Sequence, residues 1–198
     1  VKNANVVALA QHLEENGIPI YSPRSNQFFD REEVRLMIGA LIFLFPQFAQ
    51  VRKWNKDAHL EIWDYYDEQC FRPFVEQLRQ PANKPLLAWA QPLLMRHLNL
   101  TQNADYAFAG LFYQLLQFPL FSGHLEESAL RGVDKGRAAR NLATFSTLLN
   151  KFEYLHHVSV LKPQYLDKNL RELFNQFLRF LYDAGIGESE DDSEYAAS

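Results

Sequence analysis

Apolar residues recur at helical spacing along most of this chain, and this periodicity restricts the fold more than any other feature. From residue 31 to about 183, no run alternates between apolar and polar residues as a half-buried strand does. The pattern predicts a mainly α fold with one core and with helices over 31–45, 57–70, 72–80, 85–98, 103–117, 124–131, 136–157 and 164–184. Because proline interrupts helices, Pro73 is expected to lie at a helix break and Pro92 to bend or split its helix.

The first thirty residues have a different pattern, which predicts a short α/β fragment. Residues 6–13 carry a helical apolar stripe, Gly17 is placed for a C-cap, and Ile18 to Tyr21 reads as a short strand. So short a strand does not build a sheet alone, so its partners are expected elsewhere. The chain also begins in mid-pattern without an initiator Met, which favours an internal piece of a larger protein.

The segment 28–34, Phe-Phe-Asp-Arg-Glu-Glu-Val, has the signature of a helix start. Asp30 is the expected N-cap, and Glu33 follows three residues later to complete a capping box. Phe29 is expected to pack against Val34 as a hydrophobic staple across the first turn. Such a signature also occurs at ordinary helix termini, so on its own it indicates a helix and nothing more.

The order of these elements resembles that of UvrD/Rep-type superfamily 1 DNA helicases. The similar features are a helix, a Gly-Ile-Pro strand, an aromatic pair, an acid-Arg-x-Glu-Val motif and an apolar helix. The motif residues are Phe28, Phe29, Asp30, Arg31 and Glu33. A second segment, Asn-Leu-Arg-Glu-Leu at 169–173, is similar to the family's Asn-Leu-x-Glu-Leu helix.

The resemblance implies a division of the chain into three parts. Residues 1–30 would be a fragment of the second RecA-like motor lobe, and residues 31–184 a helical accessory subdomain. The acidic, polar stretch 185–198 would be a linker or disordered tail that returns to the motor. The motor motif expected next, Thr-or-Ser-x-His followed by Lys-Gly, is absent from the chain.

The same resemblance implies that function belongs to a parent ATP-dependent helicase acting in DNA repair or recombination. Hydrolysis of ATP with Mg²⁺ in the parent would drive translocation on single-stranded DNA, and this piece would contribute contacts to DNA or partner proteins. A P-loop requires Gly-x-x-x-x-Gly-Lys-Ser/Thr, which the chain lacks. We therefore expect no catalytic residue, no cofactor and no ATP turnover in the isolated chain.

Basic residues concentrate near a predicted helix start, and this cluster is the leading candidate for a DNA-backbone contact. It consists of Arg131, Lys135, Arg137 and Arg140, with Asp134 opposing it. Neighbouring glycines and a helix N-terminus are suited to presenting backbone N–H groups to a phosphate. The alternative is that a basic loop only balances an otherwise acidic domain.

A second basic group combines charge with an aromatic ring. Arg52, Lys53 and Lys56 surround Trp54, and stacking combined with phosphate contact is typical of single-strand binding. The pattern favours another interpretation, in which Trp54 anchors a helix start against the core.

Composition limits the other partners. The 198 residues are 47% hydrophobic with a net charge of −4 and a pI near 5.9, which argues against a broad nucleic-acid face but allows a local patch. The single cysteine, Cys70, is expected to be buried, and the histidine spacings do not favour a metal site. No signal peptide or membrane segment is recognised, so a cytoplasmic protein is expected. The competing functional hypothesis is a free-standing helical protein–protein interaction module.

Overall fold

The structure, a computed structural model, describes residues 26–54, 60–130 and 136–183, and these residues contain helices and no strand. The predicted mainly α fold is confirmed for this part of the chain. The helices are α1 (Asn26–Asp30), α2 (Glu32–Leu44), α3 (Phe48–Trp54), α4 (Leu60–Asp64), α5 (Arg72–Leu78), α6 (Lys84–Leu98), α7 (Phe108–Leu115), α8 (Pro119–Leu130), α9 (Gly136–His156) and α10 (Leu166–Asp183). A π-helical segment, Tyr65–Phe71, joins α4 to α5, and 3₁₀ turns occupy Pro81–Asn83 and Pro163–Tyr165.

Several predicted segments lie outside the described residues. These are the helix at 6–13, the strand at 18–21, the loop residues Arg131 and Lys135, and the tail at 185–198. Among the described residues, no single helix has both the length and the apolar composition of a membrane span. Only α2 and α3 taken together pass that test, and the chain bends by 99° between them.

Helix α2 is the centre of the core. Ten of its thirteen residues are buried, and it packs against the π-helical segment, α5, α6 and α9. The buried apolar side chains of the described residues form one contiguous cluster, which is rich in phenylalanine and tyrosine. A helix that is apolar on nearly all sides is stable only when other helices surround it, so α2 dictates the layout of the others.

Residues 60–78 form one continuous helical stretch, and the break predicted at Pro73 is wrong. Pro73 falls in the first turn of α5, directly after the π-helical segment, where a missing N–H is tolerated. The backbone N–H of Arg72 donates to the carbonyl of Asp67, which is the wider π-type bond. The wider turn therefore accommodates the proline without ending the helix.

Gly39 allows α2 to approach the π-helical segment closely. A Cβ at this position would overlap the carbonyl oxygen of Cys70 and lie 2.8 Å from the Cβ of Phe74. The backbones of the two elements are therefore in contact with no space for a side chain between them. Glycine is required here by packing, because even a methyl group would push the two helices apart.

Helix α6 runs from Lys84 to Leu98 with Pro92 inside it, so of the two predicted outcomes, a bend or a split, the split does not occur. Pro92 is on the exposed side. Leu86, Ala90 and His97 are buried on the other side. Burial on both sides of the proline in sequence holds the helix together despite the backbone hydrogen bond that proline cannot make.

Helix α7 begins at Phe108 and not at residue 103. The preceding segment is held by backbone bonds to residue 161: the N–H of Ala104 donates to the Leu161 carbonyl, and the Leu161 N–H donates to Tyr106. No local side chain caps α7. Instead, Glu153 of α9 accepts a 2.7 Å hydrogen bond from the Ala109 N–H. This cap is distant in sequence, so local pattern did not reveal it.

Candidate nucleic-acid interface

The motif residues 28–34 lie where α1 meets α2, and their predicted capping box is wrong. Arg31 is the N-cap residue, with extended backbone, and no side chain caps the helix. Asp30 is instead the last residue of α1 and is exposed. The short helix α1, which the sequence did not predict, displaces the start of α2 by one residue. Glu33 is thereby placed on the inner side of α2 and is buried.

The aromatic pair of the motif belongs to the core. Phe28 and Phe29 pack edge to face with their ring centroids 5.1 Å apart. Phe29 also packs edge to face against Tyr65, with the two ring centroids 6.4 Å apart. The Tyr65 hydroxyl donates a 2.9 Å hydrogen bond to the Phe29 carbonyl. These contacts tie α1 to the π-helical segment, so in this fold both phenylalanines are structural.

Glu33 joins two helices that are far apart in sequence. Its Oε1 accepts a buried 2.7 Å hydrogen bond from the Asn141 side-chain amide, which links α2 to the N-terminal half of α9. Asn141 directly follows Arg140, so the bond fixes the helix that carries the leading basic residues. This role was not predicted from the sequence. The signal for it was a polar asparagine within the apolar pattern of the helix, since a buried amide requires a hydrogen-bond partner.

The first turn of α9 carries the two described members of the leading basic cluster. Arg137 is half-buried and Arg140 is exposed. The Arg140 guanidinium lies over the helix start, since its Nη2 is 3.0 Å from the position that a Gly136 Cβ would take. Both arginines have interaction partners in the fold. A phosphate at this site would therefore have to share them with those partners.

The second basic group lies at the end of α3, and only part of it has uncompensated charge. The Arg52 guanidinium pairs with Asp67 at 2.8 Å and lies 5.5 Å from the centroid of the buried Trp63 ring. Lys53 is exposed and has no ion-pair partner among the described residues. Lys56 is outside those residues. Lys53 is therefore a better phosphate candidate than Arg52.

The prediction that Trp54 anchors a helix start in the core is wrong. Trp54 is the last residue of α3 and remains 40% exposed. The Arg171 guanidinium of α10 lies 5.9 Å from the centroid of its ring. Trp63, on the next helix, fills the core position expected for Trp54, with only 4% exposure. The indole ring of Trp54 is thus presented at the surface beside a cation.

The buried His97 side chain has a structural role in the core. The Nδ1–H of His97 donates to the Leu44 carbonyl at 2.7 Å, and its Nε2 accepts from the Tyr106 hydroxyl at 3.0 Å. Burial lowers the pKa of His97, and the neighbouring Arg96 lowers it further, whereas the Leu44 bond opposes the shift. The imidazole is thereby kept neutral as a link between α6 and the segment before α7.

Cys70 is buried, as predicted, and burial raises the pKa of its thiol. A protonated, inaccessible thiol is a poor nucleophile. Among the residues that the structure describes, no group of three His, Cys, Asp or Glu side chains is arranged to hold a metal ion.

No family model, curated protein or solved structure matches this chain.

Proposed function

We propose that this chain is part of a UvrD/Rep-type ATP-dependent DNA helicase, in which it forms most of a helical accessory subdomain after a short fragment of the second motor lobe. It contributes contacts to DNA or partner proteins, while the parent protein binds ATP and Mg²⁺ and carries out hydrolysis. The observation that carries this proposal is the resemblance of the segment around 28–34, which coincides with the start of the helical body.

The position of the motif residues supports this assignment. Phe28 and Phe29 attach the incoming chain to the core, and Glu33 connects the first long helix to α9. A segment that enters a subdomain from a motor lobe has to fix the orientation of the helices that follow. Its aromatic and acidic residues therefore have a mechanical role, which requires no contact with substrate.

The DNA contact that we propose at the start of α9 has a direct test. The variant Arg137→Ala/Arg140→Ala removes two cations, and Arg79→Ala/Lys84→Ala is the matched control because both of its residues are exposed elsewhere. We expect single-stranded DNA to bind the unmodified chain with a Kd of about 10⁻⁴ M or weaker. The arginine variant should bind more weakly, with a salt slope reduced by about 1.4, because each phosphate that a cation neutralises on a single strand contributes ~0.7.

If both double variants lost the same DNA affinity, binding would depend only on net charge, and the proposed DNA contact at the start of α9 would be refuted. Membership of the helicase family is tested separately, by the sequence that flanks this chain in its gene. A P-loop upstream and a Thr-or-Ser-x-His motor motif downstream are expected. Magnesium-dependent ATP turnover by the isolated chain would contradict the proposal.

A protein-interaction module is the second candidate, because large apolar side chains are exposed in adjacent pairs. Tyr154 and Leu155 near the end of α9 are 79% and 59% exposed. Met95 and Leu98 near the end of α6 are 58% and 49% exposed. Apolar surface of this kind suits a protein partner better than phosphate. Absence of DNA binding at low salt, with no motor motifs in the flanking sequence, would favour this alternative.

A further inference from the structure

We infer that the Trp54 face, made of the partly exposed Trp54 ring and the Arg171 guanidinium beside it, is a stacking site for an unpaired base of single-stranded DNA. The inference rests on the proposed function and specifies which form of DNA this subdomain contacts. It differs from the α9 site because the Trp54 ring would stack on a base, whereas the α9 arginines would contact phosphates only.

The exposure of Trp54 is the first observation behind this inference. Tryptophan is among the largest apolar side chains, and the fold buries Trp63 almost completely. Trp54 is instead left 40% exposed at a helix end, in the helix that packs against α10. An exposed indole provides a flat aromatic surface, and stacking on such a surface accepts any base because every base has a π-face.

The guanidinium beside the ring is the second observation. The Arg171 guanidinium lies 5.9 Å from the Trp54 ring centroid. Lys168 lies one helical turn before Arg171 and is exposed, as is Lys53 beside the tryptophan. Asp167 opposes them from the same helix, so the local excess of positive charge is modest. A partly exposed ring beside a guanidinium combines the two features that single-strand binding uses, base stacking and phosphate attraction, and Lys53 and Lys168 add positive charge on the same two helices.

An ordinary structural role explains less of this arrangement. A cation–π contact between two helices needs the ring and one cation, and Arg171 supplies that cation. Lys53 in the last turn of α3 also interacts favourably with the helix dipole. Neither effect requires a large part of the indole to face solvent. The combination of an exposed ring with a neighbouring guanidinium is what a nucleotide would use.

Two labelled strands distinguish stacking from charge: an oligothymidylate, and an abasic strand of the same length with the same phosphates. The test variant is Trp54→Leu, which keeps apolar volume but removes the aromatic face. The matched control is Tyr154→Leu, an exposed aromatic on α9. Fluorescence anisotropy at low salt should show tighter binding of oligothymidylate than of the abasic strand by the unmodified chain. Trp54→Leu should weaken oligothymidylate binding about tenfold, since stacking contributes ~1–3 kcal/mol per base.

The abasic strand should bind Trp54→Leu and the unmodified chain equally, and Tyr154→Leu should change neither affinity. Arg171→Gln should weaken binding of both strands. If Trp54→Leu fails to fold, Trp54→Phe serves instead, because oligothymidylate should quench part of the tryptophan emission of the unmodified chain and not of this variant.

Equal affinity of the unmodified chain for the two strands, or no effect of either Trp54 substitution, would overturn the stacking site. If Arg137→Ala/Arg140→Ala still weakened binding in that case, the proposed function would stand without it. Tighter binding of duplex than of single strands would also overturn the inference. Absence of all DNA binding would overturn it as well, whereas the flanking motor motifs would still decide the family.

Discussion

Two helix contacts in this molecule use aromatic side chains in opposite ways. Where α2 meets the π-helical segment, the backbones touch at Gly39 and the nearby rings of Tyr65 and Tyr66 are fully buried. At the end of α3, beyond the buried contact of Phe48 with Phe174 of α10, the Trp54 ring is partly exposed and contacts a guanidinium. The first contact, called the closed contact below, excludes solvent and has no space for a larger side chain. The second, called the open contact, is partly exposed to solvent and is expected to tolerate substitution.

The comparison shows where binding can reside in a helical body of this kind. Close-packed interiors tolerate little change in volume, so residues at the closed contact are occupied with stability. The Trp54–Arg171 contact lies at the edge of that core, where part of the ring is exposed and accessible to a ligand.

The largest effect is expected for Gly39→Ala. The added methyl group would overlap the Cys70 carbonyl, so α2 and the π-helical segment would have to separate. Overpacking of this type costs about 3 kcal/mol at its upper range, which urea unfolding measures directly. Gly123→Ala in α8 is the matched control, because its Cβ would have no neighbour within 4 Å. Alanine there should stabilise by ~0.5–1 kcal/mol, and similar effects of both changes would contradict the closed contact.

A smaller loss is expected for Asn141→Ala, which leaves the Glu33 carboxylate buried without its partner. Hydrogen bonds to charged groups contribute ~1.5–3 kcal/mol, so a loss of about 2 kcal/mol in the free energy of unfolding is expected. Asn150→Ala on the same helix is the control, because Asn150 is exposed and bonds only to Ser146 of its own helix. A loss no greater than that of the control would mean that the α2–α9 bond contributes nothing.

A pH-dependent effect is expected for His97. Burial lowers its pKa in the folded chain, so the unfolded chain takes up a proton more readily. The stability that the neutral imidazole provides is present above its unfolded pKa of about 6.5 and is lost as the pH falls below that value. His97→Gln should therefore show a smaller drop in Tm between pH 7 and pH 5 than the unmodified chain. An equal drop would assign the pH dependence to other groups.

The smallest effect is expected at the open contact. Arg171→Gln removes the cation over Trp54, and exposed cation–π contacts contribute ~0.5–1 kcal/mol. Thermal unfolding should therefore change little while DNA binding changes more. A loss as large as that of Gly39→Ala would place Trp54 and Arg171 in the stabilising architecture, and the contrast between the two contacts would disappear.

Sequence periodicity located most of the helices but not all of their limits. The break predicted at Pro73 failed because a π-type turn accommodates the proline, and the helix around Pro92 does not split because its other side is buried. The candidate site was only partly predictable. Local pattern identified Lys53 as a cation beside an aromatic ring, but it assigned Trp54 to the core, whereas the ring is 40% exposed. Both Trp54 and Trp63 have charged neighbours in the sequence, so the packing of the helices decides which ring is buried.

Apolar spacing along a helix is a local property, so the amino-acid sequence was enough to predict that the described part of this chain is helical. It also determined that Cys70 would be buried and that no P-loop is present. Tertiary structure decided that Glu33 bonds to Asn141, that Glu153 caps α7, and that Arg171 lies over Trp54. These pairs join residues 44 to 117 positions apart, so only the packing of whole helices brings them together.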